Sequence, residues 1–406
     1  MSNDADIAKQ FDQHLRSPRQ VWLLGAGVSY DAGIPLMQPL TDRIMSLMHD
    51  SEAPNKCFAL ELLQFVRNEL PDNSHIEHML SHLGDMVALA ERAKDTCFQL
   101  GEKRVKKTEI QAVHHQLLGH IRDILRWGFK PKTNDTDEKI GSIGKPIVNV
   151  NDHRHFIKAL YRVSRAGVDA FREPVHFVTT NYDTLIEDAL SLERLRFADG
   201  FTGGAIAHWS EEEFNFSQAD TKVKATLTKL HGSIDWYRTS SEQGHIFRVR
   251  YDELYPDREA HNGNVVIYPQ STKYLASRED PFGFLFQHFR KLLAPGKEQV
   301  FFICGYSFGD DHINAEMEQL ILHPQSRTTV VAFSQETKAG LHPVLKRWCK
   351  SGASQRIFVA TENGLYRGSS NPNFPATQGE RDWWTFSGVT RLLEEGLPPD
   401  MAESIE

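Results

Sequence analysis

The chain has 406 residues, 40% hydrophobic and 25% charged, which is ordinary globular usage with enough apolar material for a sizeable core, either in two or three domains or in one elaborated α/β domain. A formal net charge of −8 argues against a surface devoted to nucleic acid, which is held chiefly by Lys and Arg, although a local basic patch stays open. The scattered Cys57, Cys97, Cys304 and Cys349 form no Cys-x-x-Cys pair, and neither a signal peptide nor a run of roughly 18 apolar residues is present, so free thiols, a cytoplasmic location and no membrane contact are expected.

Residues 1 to 20 read as a short amphipathic helix, with Ile7, Phe11 and Leu15 four apart. Val21-Trp22-Leu23-Leu24 then predicts a buried strand, and Gly25-Ala26-Gly27 predicts a sharp turn into a loop or helix start. Such a turn can bind phosphate. Lacking Cβ atoms, Gly25 and Gly27 can take positive φ and approach a pyrophosphate closely, while free N–H groups at the following helix start face the anion and Ser29 can add a hydroxyl donor. Tyr30 stands where the fingerprint Gly-x-Gly-x-x-Gly needs its third glycine, so taken alone the segment also reads as a tight turn with no ligand.

From Leu40 to about Arg126 the pattern is helical, through Ile44, Leu47 and Met48 and then Leu60, Leu62, Leu63, Phe65 and Val66. Pro71-Asp72-Asn73-Ser74 breaks it, and Ser74 with Glu77 predicts a capping box for the next helix. His75, His78 and His82 lie along one face of that helix. Two of them could ligate a metal, but no carboxylate and cysteine set completes a tetrahedral shell, so a solvated face or subunit contact is expected there, and likewise at His114, His115 and His120. The polar segment from Lys130 to Lys145 reads as an exposed loop closing a helical insertion over residues 40–145, and a helix should follow from His153 to Ala170.

Pro174 to Asn181 predicts a buried strand and Asp183 opens the next helix, which puts Asn181 and Asp183 at a strand's carboxyl end, where open parallel sheets bind ligands. By themselves Asn181 is a turn residue and Asp183 an N-cap. Ala225 to Ser233 reads as another strand running into a glycine turn. His231 at its end is either a base titrating near neutral pH or a satisfied structural histidine. Asp199-Gly200-Phe201-Thr202-Gly203-Gly204 with Glu211-Glu212-Glu213 reads as an extra loop, and Asn264 to Pro269 as a short strand. Phe282, Phe284, Phe286 and Phe289 mark a core helix. Gln299 to Asp311 is a buried strand delivering Gly305 and Ser307 to its end; Arg327–Phe333 and Gln355–Ala360 supply two more strands, and Trp383-Trp384 should pack on the domain or a partner.

Gly25-Ala26-Gly27-Val28-Ser29 with Ala32-Gly33-Ile34-Pro35, Thr179-Thr180-Asn181-Tyr182-Asp183, Lys229-Leu230-His231-Gly232-Ser233 and Gly305-Tyr306-Ser307-Phe308 occur in one order. Together they resemble the SIR2 (sirtuin-like) family, in scattered motifs from residue 21 to about 310. The resemblance implies an α/β fold with a Rossmann-like parallel sheet, a single domain over residues 1–406 carrying the large helical insertion, and NAD+ as substrate. It assigns Gly25, Ala26, Gly27, Ser29, Thr180, Gly305 and Ser307 to the dinucleotide, with the last loop at the phosphates and adenosine ribose. It places Asn181 and Asp183 at the nicotinamide ribose and makes His231 the catalytic histidine.

The family's protein deacylases carry a zinc module of two Cys-x-x-Cys pairs, and Asp-Phe-Arg after Gly-Ile-Pro. This chain has neither, with Leu36-Met37-Gln38 in the second place. It is therefore similar to the zinc-less bacterial branch, whose members often hydrolyse NAD+ in antiphage defence, commonly in assemblies with a HerA-type ATPase or an Argonaute-like protein. That branch implies a homo-oligomeric NAD+ hydrolase without zinc or direct nucleic-acid binding. Transfer of ADP-ribose or an acyl group to a macromolecule, and NAD sensing without cleavage, remain open as alternatives.

Overall fold

A computed structural model describes residues 3–164, 173–215, 222–238, 245–250, 265–267, 281–369, 371–376 and 381–402, and it shows the expected mixed α/β architecture. The main sheet is built from β1 (Gln20–Leu24), β2 (Val175–Thr179), β3 (Phe197–Ala198), β4 (Ala225–Lys229), β5 (Val300–Cys304), β6 (Thr329–Phe333), β7 (Ile357–Thr361), β8 (Gly364–Arg367) and β9 (Phe374–Pro375). Among the described residues these nine strands lie in the order β9-β8-β7-β6-β5-β1-β2-β4-β3. From β7 to β3 every pairing is parallel, and the last two strands on the β7 side turn antiparallel.

β1 sits at the centre and is buried along its whole length, as a continuous apolar run in a parallel sheet must be. Its side chains alternate between two cores. Val21 and Leu23 join the core built on α8 (Phe282–Leu292), α9 (Asp311–Ile321) and α10 (Pro343–Cys349). Trp22 and Leu24 join the opposite core, built on α1 (Asn3–Leu15), α6 (Asn151–Lys158), α7 (Leu185–Leu192) and α11 (Phe386–Glu395). The Trp22 ring stacks on Phe302 of β5 at 4.2 Å and meets Phe156 edge-on at 5.0 Å, so the large aromatic payload of the centre is concentrated on this side.

A third core belongs to α2 (Met37–Asp50), α3 (Lys56–Glu69), α4 (Ile76–Arg92) and α5 (Lys107–Trp127). Tyr182, Leu185 and Ile234, which follow β2 and β4, are part of it, so the helical layer covers the carboxyl ends of the central strands. A hairpin of Cys97–Leu100 and Lys103–Lys106 interrupts the helical pattern between α4 and α5.

Several expectations change. The segment read as an extra loop after Asp199 contributes Phe201–Gly203 and Ile206–Trp209 to a second, antiparallel sheet with Gly232–Arg238, Ile246–Val249 and Val265–Ile267. Its strands are short and glycine-flanked, which hides them from a periodicity argument; Phe201, Trp209 and Trp236 pack together to form its apolar side. Asn264, Tyr268 and Pro269, taken with Val265–Ile267 as one strand, lie outside the described residues. The helix expected over 153–170 runs from Asn151 to Lys158 and continues as a wider turn over Ala159–Ser164; the remainder to Ala170 lies outside the described residues. The capping box falls one residue later than expected: His75 is the N-cap of α4, its N–H donates to His78 Nδ1 at 3.2 Å, and Glu77 is thereby left for another partner.

His153 on α6 is wholly buried against Phe386, ring centroids 4.9 Å apart, and neither ring nitrogen has a hydrogen-bond partner. Burial pulls its pKa from 6.5 to about 4, so the unfolded chain takes up this proton before the folded one does. The resulting stability is fully present above about pH 6.5 and is lost as pH falls toward about 4. Replacing His153 by Leu is expected to shrink the difference in unfolding free energy between pH 7 and pH 5 by about 2 kcal/mol, read from urea titrations at both values. An unchanged difference would contradict this account.

Candidate active site

The chain winds from β1 outward through β2 to β4 and β3, then returns to β5 and proceeds outward on the other side. The crevice beyond the carboxyl ends of β1 and β5 is therefore a topological switch point, where open sheets hold ligands. Two loops meet there backbone to backbone. Gly25 N–H donates to Cys304 O at 3.0 Å and Gly27 N–H to Gly305 O at 2.9 Å. A Cβ on Gly25 would lie 2.5 Å from Gly305 O, one on Gly27 2.8 Å from Gly305 Cα, and one on Gly305 2.5 Å from Val28 N.

The close approach these glycines make is therefore to the β5 loop. Gly25 has φ −102° and Gly27 is not left-handed; the positive φ belongs to Gly305, at +65°. The N–H groups of Gly25 and Gly27 are spent on the β5 loop and do not face an anion. What the turn offers is its next residues, a 3-10 turn over Ala26–Ser29 whose N-terminus no side chain caps.

The Thr179-Thr180-Asn181-Tyr182-Asp183 segment leaves β2 beside this turn. Thr179 Oγ1 donates to Leu24 O at 2.8 Å and accepts Asn181 N–H at 3.0 Å, and the N–H of half-buried Thr180 reaches Leu24 O at 3.3 Å. The Asn181 amide donates to Gly25 O at 3.0 Å and to Ser29 Oγ at 3.2 Å, and Ser29 Oγ donates to Asp183 Oδ2 at 2.8 Å. Asp183 Oδ1 accepts Leu185 N–H at 3.0 Å, so Asp183 both steadies the start of α7 and anchors Ser29 of the glycine turn. Asn181 Oδ1 is buried and has no partner, an acceptor left over once the amide nitrogen is committed.

Beneath this segment lies Lys229, the last residue of β4, with its side chain 3% exposed. Its ammonium donates to Asp183 O and pairs with Glu187 Oε1 at 3.0 Å. Burial raises the Glu187 carboxyl while the adjacent Lys229 charge draws it back down. The pair holds the β2 loop from below, a role that the sequence pattern of β4 did not reveal.

His231 follows β4 through Leu230, whose N–H bonds Thr179 O at 2.9 Å, and Gly232 at φ +85° turns the chain into the second sheet. The imidazole is 4% exposed, and its Nε2 lies 3.2 Å from Asp310 Oδ2. Asp310 also caps α9, accepting the N–H groups of His312 and Ile313 at 3.1 and 3.2 Å. Asp310 is a site residue that the sequence reading passed over; its signal is an aspartate placed just before a helix, after the Gly305-Tyr306-Ser307-Phe308 motif.

That motif is itself strained. Phe308 has φ +57°, an outlier for a bulky side chain, held by Asn314 donating to Phe308 O at 2.7 Å. On the other side of His231 the Tyr182 ring lies 6.3 Å away, and its hydroxyl donates to Glu77 of α4. Burial first, and the neighbouring Glu77 carboxylate second, push the Tyr182 phenol well above its ordinary range.

A cleft of about 870 Å³ joins these parts. Ala26, Gly27, Ser29, Thr180, Asn181, Asp183, His231, Gly305 and exposed Ser307 line it, together with Glu77, Tyr182 and Asp310. Gly25, buried behind the turn, supports the lining without being part of it. The volume falls within the range of about 300–1,000 Å³ usual for ligand sites. The far wall is formed by Ser334 to Thr337 and by Trp384, while Trp383 is buried and packs edge-on to Phe11.

Among the described residues no group of three or more His, Cys, Asp and Glu side chains is placed to hold a metal ion. The His75 and His78 rings lie against each other, 4.0 Å between centroids and tilted by 42°, and His75 lines the cleft. Nor is any helix among the described residues long and apolar enough to cross a membrane.

Residues 175–352 match the family model of the SIR2-like domain. The match includes Asn181, Asp183, His231, Gly305, Ser307 and Asp310, and begins after the Gly25 turn and Glu77. No curated protein matches the chain.

Replacing Lys229 by Met would leave the buried Glu187 carboxylate uncompensated, and is expected to cost about 3–5 kcal/mol in urea unfolding. Adding Glu187→Gln should recover much of that loss, and a double variant no more stable than Lys229→Met would count against the pairing.

Proposed function

We propose that this chain hydrolyses NAD+ to nicotinamide and ADP-ribose, as the effector of a bacterial antiphage defence system that depletes NAD+. SIR2-like domains are in general NAD-dependent, and the match over residues 175–352 supports that part of the reading. The observation that carries the rest is the single cleft at the sheet's switch point, in which the Gly25 turn, Asn181, His231 and the Gly305 loop meet.

In this reading the pyrophosphate lies along Ala26–Ser29 and the nicotinamide ribose between Asn181 and His231. Cleavage breaks the bond from C1′ to the pyridine nitrogen, the electron pair leaves with nicotinamide, and C1′ gains positive charge. Water then bonds to C1′ and gives up a proton. The unpartnered Asn181 Oδ1 is suited to orient that water or a ribose hydroxyl, and His231 to take the proton, with Asp310 steadying the ring and stabilising its charged form. Asp183 acts through Ser29, holding the turn against the substrate. An assembly of several copies, alone or with a HerA-type ATPase or another defence protein, is part of the same proposal.

The test incubates the purified chain with NAD+, alone and with candidate partners, and follows nicotinamide by chromatography. The wild type is expected to release nicotinamide and ADP-ribose in equal amounts. Asn181→Ala and His231→Ala should each slow release by about 10²–10⁴-fold, the span of general acid–base contributions. Turnover unchanged in both variants would defeat the reading; label retained on protein would select transfer, and tight binding without release a sensing module.

A further inference from the structure

Glu77 lies outside the matched SIR2-like stretch, on the helical layer, yet it is 5% exposed and lines the same cleft as Asn181 and His231. Its Oε1 accepts the hydroxyl of Tyr182, the residue between Asn181 and Asp183, and among the described residues no donor is bonded to its Oε2. The other carboxylates of the cleft are differently employed. Asp183 has one oxygen on Ser29 and one on Leu185 N, and Asp310 holds His231 and caps α9. Glu336, on the far wall, accepts the hydroxyls of Thr361 and Tyr366, and Asp31 is exposed to solvent. A nearly buried carboxylate that lines the cleft and commits only one oxygen to a neighbour is set apart from a residue that only fastens two elements together.

We infer that Glu77 is a further catalytic residue of the reaction, its carboxylate facing the nicotinamide ribose and offsetting the positive charge that builds there as the glycosidic bond breaks. The inference rests on the NAD+ cleavage proposed above. Glu77 forms no bond to the sugar and moves no proton; the electron pair leaves with nicotinamide and the water proton goes to His231. The buried phenol of Tyr182, its pKa pushed up by burial and by the Glu77 carboxylate beside it, keeps its proton and donates the hydrogen bond to Glu77. At so nearly buried a position such a charge acts on a developing cation more strongly than at the surface, and it acts most on the transition state.

The decisive variants are Glu77→Gln, which removes the charge but keeps a group able to accept the Tyr182 hydroxyl, and Glu77→Asp, which keeps the charge. For nicotinamide release, Glu77→Gln is expected to lower kcat at least 30-fold with KM within about threefold of wild type, while Glu77→Asp keeps a kcat at least fivefold above that of Glu77→Gln. Thermal melts of each variant show whether it is folded. If Glu77→Asp loses as much activity as Glu77→Gln, or if Glu77→Gln turns over normally while Asn181→Ala does not, the inference falls and the NAD+ reading stands.

A second measurement does not need turnover. Calorimetry with a protonated dihydroxypyrrolidine, a cationic mimic of the ribosyl group, should show at least tenfold weaker binding to Glu77→Gln than to wild type. Equal affinity overturns the inference even in a protein that releases no nicotinamide, an outcome that would by itself overturn only the NAD+ reading.

Discussion

Backbone packed directly on backbone, where Gly25 and Gly27 meet Gly305, is the constraint on which the site depends. No side chain intervenes that could adjust its rotamer, so the separation of the β1 and β5 loops follows from the in-register pairing of Leu24 with Cys304 just below. Everything else is referred to that seam. Asn181 reaches across from β2 to Gly25 O, Ser29 joins the same turn to Asp183, and β4 brings His231 in through its bond to Thr179. The glycines are required for this approach of the two loops, and only Gly305 among the three also uses left-handed backbone.

The polar groups around the seam are held in place from behind. Lys229 and Glu187 pair 3.0 Å apart, almost wholly buried under the β2 loop, and Asp310 serves at once as helix cap and imidazole partner. Asn314 keeps the left-handed Phe308 in position. Each arrangement would be costly in isolation, and their concentration at one end of one sheet is the pattern of a protein that spends stability on a preorganised site.

The legible parts of this chain were those whose signal is local. β1, β2 and β5 stand out because a strand buried on both faces reads as an unbroken apolar run, and the helices of the third core stand out by their period. The second sheet did not, because Phe201–Gly203 and Ile206–Trp209 are too short and too close to glycines to differ from a loop. The convergence of Asn181, His231 and the two glycine loops was reached through family resemblance rather than periodicity. The partners of the site residues were out of reach altogether. Tyr182 and Glu77 are 105 positions apart, and His231 finds Asp310 only because β5 returns beside β1, so no spacing rule connects either pair. The contact of Gly25 and Gly27 with Gly305 was hidden for the same reason: what a glycine is for depends on the strand next door.

The helical layer leaves and rejoins the sheet at nearly one point. Asn149 N–H bonds Ala32 O at 3.0 Å and Phe129 N–H bonds Gly33 O at 3.0 Å, so the two ends of this long excursion are stitched together before the chain continues. A cover attached by adjoining ends can be lengthened, trimmed or exchanged without shifting the register of any strand beneath it. The strand ends and their loops thus keep their own anchorage, independent of the length of the roof carried above them.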